Sequence, residues 1–72
     1  MTITTNLIHS SNLRAASYEI WTATLTIQFQ SGAVYEYLDV PPEIYDSLVA
    51  AESAGRFHHL FIKNRFPFTR LT

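Results

Sequence analysis

The chain has 72 residues, 47% hydrophobic and 15% charged, with no cysteine and a formal net charge of −1. That length and balance admit one folded domain and exclude both a disordered chain and a fold stapled by disulfides or thiolate-bound metal. The near-zero total hides a separation: residues 56–72 hold Arg56, Lys63, Arg65 and Arg70 and no acid, a tail of +4, whereas residues 1–55 set Arg14 against six carboxylates, a body of −5.

Residues 1–9 read as a lead segment ahead of a single domain over residues 10–72. The start lacks a basic region and the apolar run of ~7–15 residues that a signal peptide needs. No run approaches the ~20 apolar residues of a membrane span, so a cytoplasmic protein with no membrane partner is expected. Leu13 to Tyr18 reads as a short strand. The clearest local pattern follows, where Trp21, Ala23, Leu25, Ile27 and Phe29 alternate with Thr22, Thr24, Thr26, Gln28 and Gln30 over residues 21–30. Strict alternation predicts a half-buried strand with its apolar set on a core and its Thr/Gln set in water. Gln30-Ser31-Gly32 supplies a tight turn, with Gly32 free to take positive φ, and Ala33 to Leu38 returns as the hairpin partner. On that return Tyr35 and Tyr37 share one face, and Val34, Glu36 and Leu38 the other.

Two prolines, Pro41 and Pro42, end the sheet and open a helix from about Pro42 to Ala51, with Ile44, Leu48 and Ala51 at helical spacing and Glu43 placed to suit the helix dipole. Gly55 is the expected left-handed cap. A second short helix or turn covers Arg56 to Lys63. Pro67 biases Phe66 toward extended backbone, so Asn64 to Leu71 leaves as an irregular arm or an added edge strand. The expected class is α+β: a three-stranded antiparallel meander followed by one or two short helices and the extended arm.

Five stretches in order, Ser10-Ser11-Asn12-Leu13-Arg14, Gly32-Ala33-Val34-Tyr35-Glu36-Tyr37, Val40-Pro41-Pro42-Glu43-Ile44-Tyr45, Gly55-Arg56-Phe57, and Ile62-Lys63 with Arg65-Phe66-Pro67-Phe68, resemble the KTSC domain. That domain is named for the C-terminal segment of some lysyl-tRNA synthetases and also occurs as free-standing small proteins. The resemblance covers roughly residues 10–71 and implies RNA as an expected ligand. The family's Tyr-x-Tyr signature falls on Tyr35 and Tyr37, and its aromatic-Pro-aromatic end on Phe66-Pro67-Phe68, here without tyrosine hydroxyls. Two departures raise hydrophobicity: Glu19-Ile20-Trp21 stands where an Asp-Pro turn is common, and His58-His59-Leu60-Phe61 where Asn and basic residues are common.

Charge interleaved with rings points to binding more than to catalysis. Arg14, Arg56, Lys63, Arg65 and Arg70 are candidates for phosphate contacts, with Tyr35 and Tyr37 as stacking platforms for RNA, tRNA or single-stranded. The alternative is that the cations pair with the body's carboxylates and the tyrosines serve sheet packing. A further alternative is a small anionic nucleotide held at the seam of a dimer by arginines from both subunits. Ile20, Trp21, Leu60 and Phe61 are candidates for a protein contact or self-association, with a core position for Trp21 as its alternative. His58 and His59 point about 100° apart on a helix and His9 is distant, so no metal site is expected. The absence of a cysteine nucleophile, of a Gly-flanked serine elbow and of a glycine-rich phosphate loop predicts no enzyme activity and no cofactor.

Overall fold

In the computed structural model, which describes residues 3–72, Thr24–Phe29 is the middle strand of a five-stranded antiparallel sheet. The strands are β1 (Ile3–Leu7), β2 (Leu13–Glu19), β3 (Thr24–Phe29), β4 (Val34–Tyr37) and β5 (Phe68–Arg70), paired in that order across the sheet. Between β4 and β5 the chain forms helix α1 (Pro42–Ala50), helix α2 (Ala54–Phe57) and a π-helical turn (His58–Ile62). Among the described residues no helix is long and apolar enough to cross a membrane.

The alternation on β3 does what its period requires. Leu25 and Ile27 are fully buried and Phe29 packs on the core, while Gln28 is exposed. Leu13, Val40, Leu48 and Ile62 complete the fully buried set, so sheet, α1 and π-turn close on one another. Each such side chain contributes roughly 1.5–3 kcal/mol of burial. Tyr18 and Tyr45 stack at 5.4 Å, and the Tyr18 hydroxyl donates to Val40 O at 2.6 Å, which ties β2 to the start of α1.

The α+β class stands, but the sheet has two strands more than the expected meander. Of the lead segment 1–9, residues 1 and 2 lie outside the described residues and Ile3–Leu7 is β1, paired along its length with β2. It carries no alternation because it is an edge strand exposed at every position. Its attachment comes from the ladder and from the Tyr45 hydroxyl, which donates to Asn6 Oδ1. The fifth strand is the expected arm in its edge-strand form. Leu38 N donates to Pro67 O at 2.8 Å and Leu71 N to Val34 O at 2.7 Å on either side of the pairing.

Two local expectations need correction. Trp21 belongs to no strand: residues 20–23 form the β2–β3 turn, closed by the Trp21 N–H on Glu19 Oε2 at 2.8 Å and by Ala23 at φ 54°. Trp21 continues the parity of β3 only in the sequence, and it is 77% exposed. Gly55 is not a left-handed cap. Helix α1 stops when Ala51 turns to extended backbone, and Gly55 lies inside α2, whose N-cap Ser53 accepts from Arg56 N at 3.3 Å. Gly32, by contrast, takes the expected positive φ of 97° in the β3–β4 turn.

Candidate anion-binding cavity

The face of the sheet that carries Tyr35 and Tyr37 also borders a cavity of about 470 Å³. Antiparallel pairing sets its far wall. Arg70 lies opposite Tyr35 and Phe68 opposite Tyr37, and facing pairs in a ladder share a face. The Arg70 guanidinium therefore sits over the Tyr35 ring, 5.8 Å from its centroid, within the range of a cation–π contact. Phe68 lies 5.7 Å from Tyr35 and 6.0 Å from Tyr37, and Phe29 meets Tyr35 edge-on at 5.7 Å.

The opposite wall comes from the π-helical turn. Its wider winding closes on the hydrogen bond from Lys63 N to His58 O at 2.8 Å, five residues apart, and both residues line the cavity. Such turns recur at functional sites because they re-aim side chains that an α-helix would distribute evenly. Asn12, Ser31, His59 and Asn64 add polar groups to its lining, and among the described residues no Asp or Glu lines it.

The wall is completed by a neutral pair. Tyr37 Oη lies 2.8 Å from His58 Nε2. Burial, aided by Lys63 and then His59, pushes His58 down to about 4, and burial with Tyr35 pushes Tyr37 up to about 12, so both are uncharged near neutrality. The arrangement that satisfies the phenol has its O–H donating to Nε2, which leaves the imidazole proton on Nδ1. His58 was not among the residues the sequence singled out for binding. Its neighbour His59 and an apparently regular helix masked it.

Of the seven residues proposed for anion binding, Tyr35, Tyr37, Lys63 and Arg70 border one cavity. Arg14, Arg56 and Arg65 are exposed elsewhere: Arg14 on β2 where its register with β3 shifts, Arg56 in α2, Arg65 in the turn after Ile62. Among the described residues, the cation side chain that gives a hydrogen bond is Arg70, from Nε to Thr72 O at 2.8 Å, and the carboxylate that takes one is Glu19. The four protein-contact candidates are exposed and none borders the cavity.

Residues 9–66 match the KTSC domain. A lysine–tRNA ligase of Nostoc punctiforme is 47% identical over 62 residues, which is 86% of this chain and 11% of the ligase. The chain thus spans about a tenth of that relative. A protein of Tsukamurella paurometabola is 46% identical over 59 residues, 82% of this chain and 88% of that one. The crystal structure of a KTSC domain protein from Yersinia pestis superposes with a TM-score of 0.92 at 28% identity, covering 99% of this chain and all of that one.

Proposed function

The chain belongs to the KTSC domain family, and from its cavity we propose that it is a non-enzymatic module that binds RNA, holding one nucleotide between aromatic rings and two cations. The observation that carries this reading is the Arg70 guanidinium lying over the Tyr35 ring at the edge of a concavity that also contains Lys63. Flat rings accept a base at about 1–3 kcal/mol per stack, and adjacent cations accept its phosphate. The lysine–tRNA ligases among the relatives act on an RNA, and there the domain is a small appended part, which suits a role in holding that substrate. Two titratable residues of the wall, Tyr37 and His58, are bonded to each other and neutral, which suits recognition more than proton transfer.

Anisotropy titrations of labelled tRNA and single-stranded RNA, at about 50 and 150 mM salt, test the proposal. Binding at micromolar concentration that weakens with salt, and weakens about fivefold or more in Arg70→Ala and in Tyr35→Ala, is expected. Absence of binding at tens of micromolar protein in the higher salt refutes it.

A second reading rests on Ile20 and Trp21, 53% and 77% exposed in the β2–β3 turn. A bare tryptophan beside an isoleucine supports self-association or a protein contact. Light scattering across concentration, with Trp21→Ala, tests it: a wild type that stays monomeric removes the support for self-association.

A further inference from the structure

Two cations border the cavity, and among the described residues no Asp or Glu lines it. A phosphodiester inside an RNA carries one negative charge, whereas a phosphate monoester carries about −1.5 to −2 at neutral pH with three acceptor oxygens. The pair Lys63 and Arg70 matches the second better than the first. Arg70 is also prepared for it: Nε is held by Thr72 O, so the terminal guanidinium nitrogens are the part that remains for an anion.

The surroundings of the cavity favour a short ligand. Arg14, Arg56 and Arg65 do not line it, so the Lys and Arg side chains that border the cavity are Lys63 and Arg70. A volume of about 470 Å³ lies near the lower end of the range for small-ligand sites, roughly 300–1,000 Å³, and accommodates one nucleotide. The wall behind it holds a neutral pair, because burial keeps both Tyr37 and His58 uncharged and the two are hydrogen-bonded to each other.

We infer that the cavity takes a nucleotide bearing a terminal phosphate monoester, supplied either as a free mononucleotide or as the phosphorylated end of an RNA, with the base against Tyr35 and Phe68 and the phosphate between Lys63 and Arg70. This rests on reading the cavity as a nucleotide site, and it narrows that reading from any stretch of RNA to a chain end or a monomer.

The test uses the full chain, labelled with ¹⁵N, titrated with AMP, adenosine and inorganic phosphate, and with one RNA hexanucleotide carrying a 5′-phosphate, a 3′-phosphate or neither. The expected result is amide shifts centred on Tyr35, Lys63 and Arg70, with AMP at least about tenfold tighter than adenosine or phosphate alone. Lys63→Ala and Arg70→Ala, both at exposed positions, each remove that preference while the spectrum stays that of a folded domain. A phosphorylated hexanucleotide that outcompetes AMP identifies the RNA end as the source, and the reverse order identifies the monomer. Should AMP bind while none of the RNAs does, the inference stands and the RNA reading falls. If the three hexanucleotides bind equally and AMP does not compete, the inference falls and the RNA reading stands. Failure of every ligand overturns both.

Discussion

Protonating His58 should destabilise the domain, and its size can be worked from the site. The side chain is 7% exposed, faces Tyr37 across the 2.8 Å hydrogen bond, and has Lys63 and His59 as cationic or titrating neighbours. Its pKa falls from 6.5 in the unfolded chain to about 4 in the fold. Because the folded value is the lower one, the unfolded chain takes up the proton first as pH drops. Stability is therefore complete above about pH 6.5, declines from there to about 4, and levels off below. The gap corresponds to at most about 3 kcal/mol. His58 borders an open cavity whose solvent screens the charge, so we take roughly half, about 1 kcal/mol by pH 5. His58→Phe keeps a ring for the edge contacts with Phe29 and Tyr37, at 5.2 and 5.8 Å, but strands the Tyr37 hydroxyl, at about 1–3 kcal/mol near pH 7. The difference in stability between wild type and His58→Phe should then shrink by about 1 kcal/mol between pH 7 and 5, since only the wild type has a His58 that takes up a proton in the unfolded chain over this range. Urea melts followed by far-UV circular dichroism measure it; Trp21 is too exposed for its fluorescence to report the core. A difference that stays constant over this range would refute the buried neutral state assigned to His58.

Ala23 holds a left-handed backbone at φ 54°, which costs a residue with a Cβ about 1–2 kcal/mol. After allowing for glycine's larger unfolded entropy, Ala23→Gly should stabilise by about 0.5 kcal/mol and raise Tm by about 2–4 °C in calorimetry. Gly55 lies in helix α2 with ordinary φ, and a Cβ there meets Asn12 Cβ at 3.4 Å, so Gly55→Ala should be neutral or stabilise by up to about 0.5 kcal/mol in urea melts. A loss above about 1 kcal/mol would instead favour the left-handed cap expected from the sequence. Arg14→Ala, Arg56→Ala and Arg65→Ala should leave AMP affinity within about twofold, because these side chains stand outside the cavity.

The central hairpin and helix α1 were legible because their signals are periodic. Leu25, Ile27 and Phe29 repeat at two, and Pro42 and Glu43 mark a helix start whatever follows. The errors fell where periodicity carries no information. β1 is an edge with no buried side chain, so Ile3-Thr-Thr-Asn-Leu has no reason to alternate. Trp21 kept the parity of β3 although the chain had already turned, because a turn built on Glu19 and Ala23 leaves no glycine or proline behind as a sign. Gly55 looked like a stop because glycine near a helix end usually is one. Here Ala51 ends the helix with no special residue, and Gly55 lies inside α2, where an added Cβ would meet Asn12 and Ser10 only at ordinary contact distance.

The candidate site was legible by composition and illegible by geometry, and the reason lies in two register effects. Five cations and two tyrosines can be named from the chain, but which of them meet depends on where β5 pairs with β4. A slip of one residue would bring Thr69 rather than Arg70 opposite Tyr35, and Arg70 would pass to the other face. On the facing wall, the i to i+5 closure of the π-turn puts Lys63 beside His58; a regular α-helix would set residues five apart at roughly 140° around its axis. The core residues that build the domain, Leu13 to Ile62, fall inside the segment matching the family, whereas Phe68 and Arg70 fall beyond residue 66. The site thus combines residues of the matched segment, Tyr35, Tyr37, His58 and Lys63, with two from beyond it. On the proposed reading, a KTSC relative that keeps these core contacts but carries an uncharged residue opposite its first signature tyrosine should bind AMP more weakly than this chain, and a titration of such a relative checks it.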